Sequence, residues 1–316
     1  MKTNKSLSVW VEKYRPQTIK DCILTKELRK VFRGILRKKE IPNMILAGTA
    51  GIGKTTVARA ICNELDSEYI FINGSDESGI DTLRTKIRSF ASTVSLNDSR
   101  KVVIMDEADY LNANSTQPAL RAFIEEFSSN CSFIFTCNNK NRIKDALHSR
   151  CTVIDFKIEK SETVDIAKQL IERAKFILES ESIEYDEKVL KTLAVRYFPD
   201  FRRFINELQK YASSHGVIDS HIISVASVDF DSQRVYQALK NKNYTEMRTW
   251  VVDHINNDVN VVFRKLYESL FSHLTPQSIP QAVLVVGDWQ YKASFGDPEI
   301  CLLACLTEIL ATCEIK

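Results

Sequence analysis

The sequence lacks any apolar run that approaches the roughly 20 residues a membrane-spanning helix needs. Its start, MKTNKSLSVWVEKYRP, has no apolar signal core, so the expectation is a cytoplasmic protein that is not exported. The eight cysteines (Cys22, Cys62, Cys131, Cys137, Cys151, Cys301, Cys305 and Cys313) include no CxxC pair, which argues against a zinc ribbon. They read as reduced, buried thiols, with Cys301 and Cys305 sharing one helix face of a core. Excess charge is also missing: 43 basic against 41 acidic residues leave a net +2. Nucleic-acid binding would therefore need a local basic surface or several copies acting together. There is no internal repeat and no low-complexity linker. What remains is a chain of ordinary globular composition, 44% hydrophobic and 27% charged, whose 316 residues suggest two or three domains.

The most informative stretch is Met44 to Thr56, MILAGTAGIGKTT. An apolar run leads into Gly48-Thr49-Ala50-Gly51-Ile52-Gly53-Lys54-Thr55, a full GxxxxGK[ST] match, and VARAICNEL continues as a helix. Glycines let backbone N–H groups wrap closely round phosphates, and a helix N-terminus faces their charge. Lys54 would then reach the β- and γ-phosphates and Thr55 would hold Mg²⁺. The chain is expected to bind a nucleoside triphosphate.

Around this loop, strand-like runs at 44–47, 69–73, 101–106, 132–136 and 152–156 alternate with helix-like stretches at about 54–65, 79–92, 115–127 and 142–148. That alternation predicts an α/β fold with a five-stranded parallel sheet, its ligand at the carboxyl ends of the strands. Before it, Trp10 to Pro16 reads as an extended arm rather than a helix, because Pro16 biases Arg15 away from helical geometry. A helix over about 26–38 follows. After residue 157 strands are expected to disappear. Three helices fill 161–181, 186–197 and 200–214, and a further all-helical block runs from about 228. Thr275-Pro276 and Asp297-Pro298 each look like an N-cap followed by proline at the first helical position.

Five groups of residues carry candidate chemistry. KVVIMDEAD places Asp106 and Glu107 at a strand end, suited respectively to Mg²⁺ and to orienting or activating the attacking water. Asn138 follows the strand SFIFT, either as a γ-phosphate or water contact or as half of a turn-forming Asn pair. Arg150, before the last strand, is either a surface arginine or a finger that stabilises a neighbouring subunit's transition state. In Asp200-Phe201-Arg202-Arg203-Phe204, one arginine could reach the nucleotide while Phe201, Phe204, Ile205 and Leu208 form a buried stripe. The helix IDTLRTKIRSFA turns Arg84, Lys86 and Arg88 outward, as a solvated face or as phosphate-backbone contacts. Arg121 in the next helix is a weaker candidate of the same kind.

Taken together, WVEKYRP followed by Asp21-Cys22-Ile23-Leu24, GTAGIGKTT, NGSD, IMDEAD, CNN, LHSRC, PDFRR and LTPQSIP resemble the AAA+ sliding-clamp loaders. The chain is similar to the replication factor C small subunits and, more closely, to the large subunit of T4-type phage clamp loaders. The resemblance implies an AAA+ P-loop domain over 1–157, a three-helix lid over 158–227 and an all-α collar that serves oligomerisation over 228–316. It implies an ATPase that opens the polymerase's sliding clamp and places it on primer–template DNA, with ATP and Mg²⁺ as cofactors. The expected assembly is a pentamer of several copies with a different subunit, free of membrane, in the host cytoplasm if the source is viral.

Carried over by motif, Lys54 and Thr55 hold phosphates and Mg²⁺, Asp106 aids Mg²⁺, Glu107 is the base, and Asn138 is the first sensor. Arg150 is the trans-acting finger and Arg202 the lid sensor. Glu12, Tyr14, Arg15, Pro16 and Ile23 join the loop residues Gly48, Thr49, Ala50, Gly51, Ile52, Gly53 and Thr56 around the nucleotide. Arg84, Lys86, Arg88 and Arg121 fall to DNA. Two departures stand out. Thr49-Ala50 replaces the family's usual pair of prolines, and Ser78 stands where some relatives have a basic residue.

The DEAD letters alone would also suit helicases, but the all-helical remainder offers no second RecA-like domain. A branch-migration motor or initiator would call for a DNA-binding wing or helix-turn-helix after the lid, and none is legible. A scaffold that binds nucleotide without hydrolysing it would be expected to have lost one of Lys54, Asp106, Glu107 or Arg150.

Overall fold

A computed structural model describes residues 9–76, 80–93, 100–222, 232–254 and 259–316. Ser78 and the expected boundary at 227/228 lie outside them. The chain divides at Asp219 and Ser220 into two units.

The first unit is built on a five-stranded sheet of β1 (Met44–Ala47), β2 (Tyr69–Asn73), β3 (Lys101–Asp106), β4 (Cys131–Cys137) and β5 (Thr152–Asp155). Their order is β2-β3-β4-β1-β5, with every pair parallel. The central strands β1 and β4 are buried along their whole length, which is why they read as unbroken apolar runs. The strand before the phosphate loop and the strand before the acids thus both flank β4, so three sequence motifs end side by side at one edge of the sheet. The helices of this unit begin with α1 (Trp10–Lys13), α2 (Lys26–Lys38), α3 (Lys54–Glu64) and α4 (Ile80–Ala91). They continue with α5 (Thr116–Glu126), α6 (Asp145–His148), α7 (Thr163–Ser180), α8 (Glu187–Tyr197) and α9 (Phe201–His215).

Two expectations fail in this unit, and a third holds only in part. The arm contains a helical turn, α1, because proline restrains only the residue before it, leaving Trp10 to Lys13 free to coil. That turn is held by burial of Trp10, whose backbone N–H donates to Gln209 Oε1 at 2.8 Å. Strands also persist beyond 157: β6 (Glu184–Tyr185) pairs in parallel with β7 (Val217–Ile218). Two-residue strands are too short to show alternation. The helix expected at about 142–148 is reduced to the single turn α6, preceded by a 3₁₀ turn at Lys140–Arg142. The other helices form close to their expected bounds, with Asp200 capping α9 by accepting from Arg203 N–H at 2.9 Å.

Within the second unit, α10 (Ser232–Lys240), α11 (Tyr244–His254), α12 (Val259–His273), α13 (Ile279–Ala293) and α14 (Pro298–Thr312) enclose a core centred on Trp250, Phe263, Leu266 and Leu302. Cys301 and Cys305 both join that core, on one face of α14. Asp297 caps α14 as expected, accepting from Ile300 N–H at 3.0 Å with Pro298 in the first turn. Thr275 is not a helix cap. Its N–H donates to Glu314 O at 3.1 Å beside the Leu274–Ile315 bridge, which pins the chain in a turn, and α13 begins only at Ile279.

Candidate nucleotide site

The loop after β1 is shaped by three glycines. A Cβ at Gly48 would lie 2.8 Å from the carbonyl oxygen of Phe156, so no side chain fits there. Gly51 and Gly53 adopt φ of 74° and 97°, the left-handed region that glycine enters without steric cost. α3 starts immediately at Lys54, so its free N–H groups face the loop.

Lys54 is 7% exposed. Its ammonium donates to Gly48 O at 2.7 Å, Thr49 O at 2.8 Å and Asn138 Oδ1 at 2.9 Å. Burial pulls its pKa below the ordinary lysine value, while Cys137, Asp106 and Asp109 act in the opposite sense. Three neutral oxygens are weak partners for a buried cation, so an incoming phosphate would be a better one. Thr55 Oγ1 donates to Asp106 Oδ1 at 2.7 Å, and Thr136 Oγ1 donates to the same carboxylate oxygen. These hard oxygens suit Mg²⁺, which takes one or two protein ligands and completes its shell with water and phosphate. Glu107 sits one residue beyond Asp106 at φ 53°, with its N–H donating to Thr136 Oγ1 at 3.2 Å.

These residues line a cleft that is open to solvent. Of the residues expected at the nucleotide, Tyr14, Arg15, Pro16, Ile23, Ala50, Gly51, Gly53, Lys54, Thr55, Thr56, Asp106, Glu107, Asn138 and Arg202 line it. Glu12, Gly48, Thr49 and Ile52 do not line it. Glu12 accepts from Arg15 Nε at 3.2 Å, Gly48 and Thr49 hold Lys54 through their carbonyls, and Ile52 is buried.

α9 reaches the cleft through Phe201, Arg202 and Ile205, and Phe201 N–H donates to Gly51 O at 3.2 Å. Arg203 instead lies over the Tyr197 ring at 5.3 Å. Of the expected buried stripe, Phe201 is buried but Ile205 only partly so, and both line the cleft.

Arg173 was not expected there. It lines the cleft from α7 and donates to the Tyr14 carbonyl, a tertiary contact with no motif to announce it. Cys22 lines it too, with burial pushing its thiol up to about 12, so it stays protonated.

Arg150 lies outside the cleft. Its Nε donates to Glu125 Oε1 at 2.8 Å and its guanidinium also caps Ala146 O at 2.9 Å. Arg121 reaches the same Glu125 oxygen at 3.7 Å, and together these cations hold that carboxyl below its usual range, Arg150 contributing most. On α4, Arg84, Lys86 and Arg88 are exposed. Arg84 pairs with Asp81 at 3.6 Å and Arg88 with Glu126 at 3.4 Å. Exposed pairs of this kind contribute roughly 0–1 kcal/mol, so both arginines can be recruited by a phosphate. Among the described residues no cluster of three or more His, Cys, Asp or Glu forms a metal centre, and no helix is long and apolar enough to cross a membrane.

Residues 44–159 match the model of the ATPase family associated with various cellular activities (AAA). Residues 162–224 match that of the sliding-clamp-loader large subunit, AAA+ ATPase lid domain. The sliding-clamp-loader large subunit of Enterobacteria phage T4 is 37% identical, covering 99% of this chain and 98% of that protein. The corresponding subunit of Escherichia phage RB69 is 40% identical over 78% of this chain and 77% of that one. The replication factor C small subunit of Archaeoglobus fulgidus is 31% identical over 99% and 100%. A solved structure of the Thermotoga maritima RuvB Holliday junction branch migration motor aligns with a TM-score of 0.56 at 18% identity, covering 80% of this chain and 85% of that one, a likeness of fold alone.

Proposed function

This chain belongs to the AAA+ sliding-clamp-loader family of ATPases, and we propose that it opens a polymerase processivity clamp and places it on primer–template DNA during replication. The observation that carries the reading is the convergence of Lys54, Thr55, Asp106, Glu107 and Asn138 from three strand ends on one cleft, with Arg202 added from the lid. ATP would draw Lys54 from its carbonyl partners to the β- and γ-phosphates. Thr55 and Asp106 would hold Mg²⁺, which neutralises charge on the transferring group. Glu107 accepts a proton from the attacking water, and Asn138 fixes the γ-phosphate or that water. Tyr14, Arg15, Pro16 and Ile23 enclose the base.

Arg150 serves another copy. It sits away from its own cleft, in an ion pair that an incoming phosphate charge can replace. Hydrolysis then requires assembly, in a pentamer with a different subunit, acting in the cytoplasm of the host. Residues 1–157, 158–227 and 228–316 act as motor, lid and collar. The exposed arginines of α4, with Lys86 and Arg121, face the DNA backbone. A nearly neutral chain holds DNA because several modest basic faces engage one duplex at once.

The test is clamp transfer itself. The chain, assembled with its partner subunit, is expected to leave the clamp stably on circular primed DNA only with ATP, and Lys54→Ala to abolish the transfer. Equal transfer without ATP, or by Lys54→Ala, would overturn the proposal.

A further inference from the structure

The β3–β4 ladder ends at Met105↔Phe135, short of the residues that matter most in the cleft. Beyond that point the two strand ends are joined through side chains. Thr136 Oγ1 accepts from Glu107 N–H at 3.2 Å. Two residues further on, Asp109 Oδ2 accepts from Asn138 N–H at 3.2 Å and Asn139 N–H at 3.1 Å.

Asp109 lies within a short 3₁₀ turn, Ala108–Tyr110, that starts directly after Glu107. It is 7% exposed, and its second oxygen, Oδ1, has no hydrogen-bond partner among the described residues. A buried carboxylate is costly unless its charge is matched, and an unsatisfied oxygen adds to that cost. The compensation present is two backbone N–H groups, plus the field of Lys54, to which Asp109 is electrostatically coupled. An apolar residue in this place would avoid the burial cost but would leave both strand-end N–H groups unpaired. The carboxylate therefore links the turn carrying Glu107 to the backbone carrying Asn138, whose Oδ1 reaches Lys54 at 2.9 Å.

We propose that Asp109 is a positioning residue for ATP hydrolysis, holding Asn138 in register with Glu107 and the phosphate loop. Asp109 does not line the cleft and acts through Asn138, so the proposal rests on the role given to Asn138 above.

The test is a double-mutant cycle on the steady-state ATPase of the assembled complex, with nucleotide affinity titrated in parallel. Asp109→Ala is expected to lower kcat about 10- to 100-fold, as loss of a supporting partner typically does, with nucleotide affinity within about threefold. In an Asn138→Ala background it is expected to cost nothing further. Losses that multiply would overturn the proposal, since a merely structural aspartate acts independently of Asn138. Should Asp109→Ala fail to fold, Asp109→Asn carries the same cycle. As an uncharged acceptor it is expected to lower kcat about three- to tenfold alone and not at all beside Asn138→Ala. An unchanged kcat in Asp109→Asn or Asp109→Ala also contradicts the proposal. An Asn138→Ala complex that hydrolyses ATP normally would instead remove the role assigned to Asn138, which separates the two failures.

Discussion

Gly51→Ala probes how the lid and the phosphate loop are joined. Gly51 stands at φ 74°, and a Cβ built on it would lie 1.9 Å from Asp200 Oδ1, the same oxygen that caps α9. Alanine in the left-handed region costs about 1–2 kcal/mol, offset by a few tenths from the less flexible unfolded chain. To make room, Asp200 must turn away and release its cap, which costs about 1 kcal/mol more. The total is about 1.5–2.5 kcal/mol, equivalent to a fall of about 3–10 °C in the melting temperature of a unit this size. Asp200→Ala alone should cost about 1 kcal/mol. In the double variant the overlap is gone and the cap already lost, so the two costs should fall short of additive by about 1 kcal/mol. Urea unfolding of wild type, both single variants and the double gives all four corners of the cycle. Strictly additive losses would refute the reasoning, because they would mean that loop and lid do not meet at this point.

Three further outcomes follow from the site. Arg150→Ala should reduce hydrolysis by the 10³- to 10⁵-fold typical of a missing arginine finger while nucleotide binding survives. Mixing it with Lys54→Ala chains should restore activity at intermediate ratios, and no restoration would remove the trans assignment. Charge reversal at Arg84 and Arg88 should weaken DNA binding and flatten its salt dependence, by about one unit of slope per lost phosphate contact. An unchanged slope would return that face to solvent.

The third concerns pH. Glu181 accepts from Lys13 Nζ and Tyr14 OH, both at 2.7 Å, and these bonds, that from Lys13 first, hold its carboxyl below the usual range. Its contribution to docking the arm is present above the ordinary carboxylate pKa and is lost as pH falls through the depressed one. The gap in melting temperature between wild type and Glu181→Gln should therefore close on acidification below about pH 4.3, and a constant gap would contradict this.

The sheet and the loop were legible because their signals are local. Apolar β-branched runs mark buried strands, and GTAGIGKT carries its own geometry. Asp106, Glu107 and Asn138 could be placed because parallel strands bring their carboxyl ends to one edge. What escaped depends on partners far away in sequence. The helical turn at Trp10 is stabilised by Gln209, 199 residues on. Arg173 enters the cleft because α7 crosses the arm at Tyr14, 159 residues earlier. Asp109 looks like one more acid after Glu107 until its contacts with Asn138 and Asn139 are seen. The strands β6 and β7 are stabilised by each other, not by any pattern of their own. Arg150 shows the opposite case. Its motif pointed to a role, whereas the folded chain alone shows it paired with Glu125.

The most direct measurement is the steady-state ATPase rate of the assembled complex with and without its clamp and primer–template DNA. Slow turnover is expected for the complex alone and strong stimulation when both are present, abolished by Lys54→Ala. A rate that neither the clamp nor the DNA changes would contradict the clamp-loader assignment.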